Sequence, residues 1–139
     1  MKDHKVRSES CSACPYRRDV PSGVWGAHEY DKLPPYDAPT ARQPLNGFAC
    51  HATPSHYCHG WAVVHSNRGS EHELLALRVF AARTAIPEPG VPLFASGAEA
   101  AEHGKRDIDN PSPEAVAVVE RLMSKYDRLV PVDLRKREC

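Results

Sequence analysis

The chain changes character at Cys58. Before it, prolines, glycines and polar residues break up every short apolar run, and the pattern reads as loops around one short helix at about residues 26–33. After it, apolar positions recur at helical intervals. "CHGWAVVHS" sets Trp61, Val64 and His65 on neighbouring helical positions and predicts one helix. In "SEHELLALRVFAAR", Ser70 and Glu73 have the spacing of a capping box, in which each side chain bonds the other's free amide. The run of Leu74, Leu75, Leu77, Val79 and Phe80 is apolar on most sides, which predicts a central, well-buried helix bounded by Pro87 and Pro89. Ser96 and Glu99 repeat the capping pattern ahead of a short Ala-rich helix that ends near Gly104. The last helix has the clearest start, with Ser112 as N-cap and Pro113 in the first turn, where its missing donor costs nothing. Val116, Val119, Met123 and Tyr126 follow at helical spacing.

Pro34, Pro35, Pro39 and Pro44 argue against regular structure over 34–47, Asn46-Gly47 reads as a turn, and 48–51 as a short extended piece. The expected fold is therefore mainly α: a small metal-stabilised domain with a loop-rich N-terminal half, three to four short helices and little strand. Residues 11–130 form the single domain, residues 1–10 a flexible N-terminal segment and residues 131–139 a basic tail.

Charge narrows the function. The formal net charge is zero, which argues against a generic nucleic-acid binder, since such binding needs an excess of Lys and Arg over the phosphates it meets. No apolar run spans a bilayer and the N-terminus has no apolar signal core, so a cytoplasmic protein is expected. In that compartment clustered cysteines point to metal or redox chemistry rather than to disulfides, and five cysteines would leave one unpaired.

The cysteines carry the chemistry. Cys11-x2-Cys14 on a tight turn can point two sulfurs at one metal, and Cys50-x7-Cys58 supplies a second pair after the proline-rich excursion. Four thiolates suit tetrahedral zinc or an iron–sulfur cluster. The seven-residue spacing is unlike a zinc knuckle, and a cluster spans more space than one ion, so the pattern favours [4Fe–4S] over zinc. His51, His56 or His59 could replace one cysteine as ligand. His65, seven residues after Cys58, is the candidate to hydrogen-bond a sulfur. Arg17 could donate to the anionic site, with Trp25 as a lid over it and Trp61 beside it. Cys139 reads as a bystander. A redox dithiol at Cys11/Cys14 lacks the preceding strand and following helix such sites use. No nucleophile motif, phosphate loop or paired carboxylates stand out.

Two resemblances follow from these residues. "CSACPYRRDVPSGVW…EYDKL", "FACH…CHGWAVVH" and "LALR" together resemble a family of small uncharacterised four-cysteine proteins of actinobacteria and their phages, over residues 10–83. The resemblance implies a shared site of Cys11, Cys14, Cys50 and Cys58, with Pro15, Arg17, Asp19, Gly23, His51, Gly60 and Trp61 around it. Over about sixteen residues, Cys11, Cys14, Pro15, Arg17 and Gly23-Val24-Trp25-Gly26 are also similar to the WhiB-like iron–sulfur regulators. Those proteins place a third cysteine and a helix between the two motifs and a further cysteine upstream; here only "PYRRDVPS" intervenes and Ala27 replaces the second glycine of the turn. That resemblance implies a [4Fe–4S] cluster and contact with transcription machinery. The expected function is a non-enzymatic regulator or adaptor with a protein or nucleic-acid partner. The alternatives are a cluster- or thiol-dependent redox enzyme and an interaction protein of phage or host held together by structural zinc, its partner surface the basic ends or the last helix.

Overall fold

The computed structural model describes residues 5–53, 55–80 and 87–129. Its order is β1 (Lys5–Val6), α1 (Ala27–Tyr30), 3-10 helices at Pro34–Asp37 and Thr40–Arg42, β2 (His56–Tyr57), α2 (His59–Ser66), a 3-10 turn at Ser70–His72, α3 (Leu75–Phe80), α4 (Gly97–Arg106) and α5 (Pro113–Leu129). The fold is mainly α, with one two-stranded parallel sheet pairing Lys5 with His56 and Val6 with Tyr57. No helix among the described residues is long and apolar enough to cross a membrane.

The first described residues belong to the sheet. The Arg7 amide donates to the Tyr57 carbonyl at 3.0 Å, extending the pairing past β1, so residues 5–7 are held against β2. On its other side Tyr57 bridges Ala49, and the Cys58 and Cys50 amides donate to the carbonyls of Phe48 and His56. This narrow ribbon leads directly into α2. The predicted basic tail lies outside the described residues.

Two helix starts follow local sequence grammar. Ser96 Oγ accepts from the Glu99 amide at 3.1 Å and opens α4; Ser112 Oγ accepts from the Ala115 amide at 3.1 Å and opens α5. The proline-rich stretch is not irregular, because Pro34 and Pro35 with their fixed φ start a 3-10 helix. The Ser70/Glu73 box is not formed. Ser70 sits in the 3-10 turn, Glu73 pairs with Arg78, and the Leu75 amide takes Gln43 Oε1 at 2.9 Å instead. A residue 32 positions away thus caps α3, and Leu74 and Ala76 are buried while Leu75 and Leu77 are half-buried. The side chains of Val79 and Phe80 and the predicted continuation past Phe80 lie outside the described residues.

The core is built on aromatic residues and histidines more than on aliphatics. Trp61, Tyr16, Tyr30, Tyr57, Leu33, His59, His65 and Cys14 are its largest fully buried side chains. α4 packs on α1 at Gly104, where any Cβ would run into the Tyr30 ring. Asp37 anchors the start of α4 by accepting from the Gly97 and Ala98 amides, each at 2.8 Å. α5 covers a second cluster through Ala115, Val118, Val119 and Leu122, against Ala13, Val20 and Val24. Its inward face is rotated from the predicted one, leaving Val116 and Met123 43% and 50% exposed.

Candidate metal centre

All four predicted cysteines are buried free thiols, drawn together by three structural pieces. Cys11 and Cys14 lie on consecutive turns, with the Cys14 amide donating to the Cys11 carbonyl and the Arg17 amide to the Cys14 carbonyl. Cys50 sits on the ribbon. Cys58 is the N-cap of α2, its sulfur accepting from the Trp61 amide at 3.5 Å.

The pairing crosses between the two sequence motifs. Cys14 Sγ and Cys58 Sγ are 3.7 Å apart, forming an inner pair. Cys11 and Cys50 neighbour each other as an outer pair and shift each other's ionisation. Each sulfur is also met by backbone amides: Cys11 by Ala13, Cys14 by Tyr16 and Gly60, Cys50 by Ala52 and Thr53, and Cys58 by Trp61. Amides aimed at sulfur favour the thiolate over the thiol. Within the outer pair, the hydrogen bond from Cys11, helped by Arg7, brings the Cys50 thiol down to about 4, and donation to Cys50 together with burial pushes Cys11 up. The inner pair repeats this asymmetry: the bond from Cys58 lowers Cys14, and burial pushes Cys58 well up. Within each pair, one sulfur is therefore favoured over the other for ionisation, and metal binding would favour the thiolate at all four.

Gly60 makes the inner pair possible. A Cβ there would lie 2.6 Å from Tyr16 Cβ and 2.9 Å from Cys14 Sγ, so only glycine lets the first turn of α2 approach the cysteine loop. The outer pair has the arginine. Arg7 Nη1 donates to Cys50 Sγ at 3.4 Å. Arg17, the guanidinium expected at the site, instead grips Asp19 through two hydrogen bonds of 2.7 and 2.6 Å and donates to the Cys11 carbonyl at 3.2 Å. It braces the loop without contacting a sulfur.

Residues 6–124 match DUF6283, a family of unknown function. The chain belongs to this family. No curated protein and no solved structure matches it. In this DUF6283 chain, then, the residues alone define what the site can do.

Trp25 lies across the two cysteine motifs. Its Nε1 donates to the carbonyl of Ala13, between Cys11 and Cys14, at 2.8 Å, and its ring stacks on His51, next to Cys50, at 4.1 Å. Trp61 is fully buried; its ring packs on Tyr36 and Tyr57 while its amide serves Cys58. His65 is also fully buried, but its Nε2 lies 3.3 Å from the Tyr16 hydroxyl and its Nδ1 3.6 Å from Asp37, where a sulfur partner was expected.

The histidines offered as substitute ligands differ in how far their ring nitrogens are engaged. His59 has both ring nitrogens engaged, by Ser10 Oγ and the Glu88 carbonyl, each at 2.7 Å. His51 Nε2 pairs with Glu29 at 2.7 Å, leaving a buried Nδ1 without a hydrogen-bond partner. His56 Nδ1 meets Ser55 Oγ at 3.1 Å. Cys139 lies outside the described residues.

The donor set suits a soft metal: four sulfurs, amide donors to each, and a water-excluding aromatic wall. Spacing distinguishes one ion from a larger group. Zinc–sulfur bonds of ~2.3 Å put neighbouring sulfurs ~3.8 Å apart around one ion. The inner pair has that separation, yet among the described residues no three Cys, His, Asp or Glu side chains gather as a single-ion site. Arg7 was missed in the sequence, and Gly60 was named there without its role. Arg7 sits in a stretch with no local structural signal, and the role of Gly60 depends on an approach between residues far apart in the chain.

Proposed function

We propose that this chain is a four-thiolate metal protein that holds a [4Fe–4S] cluster through Cys11, Cys14, Cys50 and Cys58 and works without catalysis, as a regulator or adaptor. The observation that carries the reading is the convergence of four buried thiols as two facing pairs, each sulfur supplied with an amide donor. A group wider than one ion would bridge two pairs that do not close into a single shell. When bound, a cluster supplies electron transfer or a charge that depends on its redox state. This chain's residues do the rest: Arg7 offsets negative charge at Cys50, the amides hold the sulfurs, and Tyr16, Trp61 and Trp25 keep water from the inner side. The partner is a protein, with transcription machinery suggested by the WhiB-like turn around Trp25, or a nucleic acid.

Structural zinc is the second reading, favoured by the 3.7 Å separation of Cys14 and Cys58. Anaerobic purification followed by iron and zinc analysis and a visible absorption spectrum separates the two. Iron with broad thiolate-to-iron absorption supports the cluster. Zinc in a colourless protein supports the structural ion. Protein that takes up neither metal overturns the four-thiolate reading.

A further inference from the structure

The loop that carries the first thiol also walls a cavity of about 440 Å³, within the ~300–1,000 Å³ range of sites that hold small organic ligands. Arg7 and Arg17 line it together with Ser10, Ser12 and Glu9. Its walls are tied to the core. Ser10 Oγ lies 2.7 Å from His59 Nδ1, and His59 Nε2 lies 2.7 Å from the Glu88 carbonyl. A carbonyl only accepts, so Nε2 carries the hydrogen and, in the neutral imidazole, Nδ1 accepts from the Ser10 hydroxyl. His59 is 1% exposed, and this buried link joins the Ser10 side of the cavity to the side formed by Pro89 and Val91. The Arg18 amide donates to the Pro92 carbonyl at 3.0 Å and holds the same side further along. The two arginines differ. Arg17 is held by Asp19 and by the Cys11 carbonyl, which leaves part of its N–H fork uncommitted. Arg7 reaches Cys50 Sγ with Nη1 alone and forms no salt bridge among the described residues.

We infer that this cavity binds a small organic phosphate monoester. Guanidinium is the side chain best matched to phosphate, and a terminal phosphate has enough acceptor oxygens to take N–H groups from both arginines and the Ser12 hydroxyl at once. Arg17 is already braced, so little of its freedom is lost when the ligand arrives. The organic part of the ester lies along Pro89 and Val91, and a hydroxyl on it meets the Ser10 oxygen, which still accepts while its hydrogen serves His59. Glu9 is exposed and works against the phosphate charge. Arg17 shares its own charge with Asp19, so the attraction rests chiefly on Arg7. The site needs the folded cysteine loop but no metal in it, and it stands apart from the four-thiolate reading.

The test uses the full chain, purified anaerobically in phosphate-free buffer at low salt and assayed for metal. Calorimetric titrations with glycerol 3-phosphate, inorganic phosphate and glycerol compare the whole ligand with its parts. The expected result is saturable binding of glycerol 3-phosphate, weaker binding of inorganic phosphate and none of glycerol. Arg7→Gln weakens glycerol 3-phosphate binding by about tenfold, the equivalent of one charge-assisted hydrogen bond. Because Arg7 also touches Cys50, Glu9→Gln tests the charge argument away from the thiols, and it tightens binding by about threefold, the scale of one exposed charge pair. No saturable binding of either phosphate, glycerol 3-phosphate no tighter than inorganic phosphate, or wild-type affinity in either folded variant overturns the inference. A phosphoserine peptide that binds more tightly than glycerol 3-phosphate assigns the cavity to a protein partner and overturns the small-molecule ligand. Protein that holds no metal yet binds glycerol 3-phosphate removes the four-thiolate reading and leaves this one standing.

Discussion

Replacing Gly60 by alanine tests the contact on which the inner thiol pair depends. The added methyl would sit 2.6 Å from Tyr16 Cβ, 2.9 Å from Cys14 Sγ and 3.1 Å from Tyr16 Cγ. Carbon–carbon contacts are comfortable at ~3.5–4.0 Å, so something must move by about 1 Å. Tyr16 cannot turn aside, since its fully buried ring is boxed edge-on by Phe48 at 6.2 Å and His65 at 5.8 Å. Overpacking of this kind costs about 1–3 kcal/mol. Alanine's helix preference returns at most ~1 kcal/mol, and less in a first turn. The net expectation is a loss of about 1–2 kcal/mol, or roughly 5 °C in Tm for a chain of this size. The sulfur of Cys14 is displaced as well, so metal affinity falls by about tenfold or more, the scale seen when the groups orienting a ligand are disturbed. Denaturant unfolding with and without chelator, together with metal competition, measures both losses. Gly104→Ala is the control: it drives a methyl into Tyr30 at the α1–α4 contact, lowering stability while the folded protein keeps its affinity for metal. A Gly60→Ala protein as stable and as tight for metal as wild type refutes the packing argument. Equal affinity losses in both variants would trace the effect to general destabilisation.

Three further outcomes follow from the same contacts. Burial holds the His65 imidazole down to about 4, below an unfolded value of about 6.5; the unfolded chain binds the extra proton between those values, so its contribution is full above about pH 6.5 and fades toward pH 4, by on the order of 3 kcal/mol. His65→Gln should flatten that slope in denaturant midpoints, and an unchanged slope would show that His65 is not its source. Trp25→Phe removes the 2.8 Å bond to Ala13 but keeps a ring over His51; about 1 kcal/mol of stability should go, with faster solvent exchange of the cysteine-loop amides by NMR. Asp37→Ala leaves the Gly97 and Ala98 amides of α4 without their carboxylate, for a loss of about 1–2 kcal/mol by calorimetry.

What could be read from the sequence tracks how local its cause is. Ser96 and Ser112 cap the predicted helices because the groups they satisfy lie three residues away. Ser70 and Glu73 carry the same grammar, but Gln43 reaches the Leu75 amide from another segment and Glu73 turns to Arg78, so tertiary contact overrides the local motif. β1 has no signal of its own, since two residues form a strand only because β2 is there to pair with them. On α5 the apolar spacing predicts helix correctly but not its rotation, because Val118, Val119 and Leu122 compete with Val116 and Met123 for the inward side. The thiols were legible as a set because reactive residues in a polar loop have few other uses. Their neighbours were not: the expected Arg17 serves Asp19, and the guanidinium at Cys50 comes from Arg7, 43 positions away.

The crossed pairing has a consequence for how such a centre assembles. If Cys11 faced Cys14 and Cys50 faced Cys58, each motif could hold half a site by itself, and an unfolded chain could capture metal locally. Instead each facing pair takes one sulfur from each motif, 44 positions apart in the case of Cys14 and Cys58. Neither pair exists until the cysteine loop has met the ribbon and the start of α2, a meeting that also requires Gly60 against Tyr16, Trp25 between Ala13 and His51, and Ser10 on His59. A ligand that binds this arrangement and not the unfolded chain stabilises the whole assembly by its full binding free energy. Loss of one sulfur therefore weakens both the metal centre and the joint between the two halves of the domain.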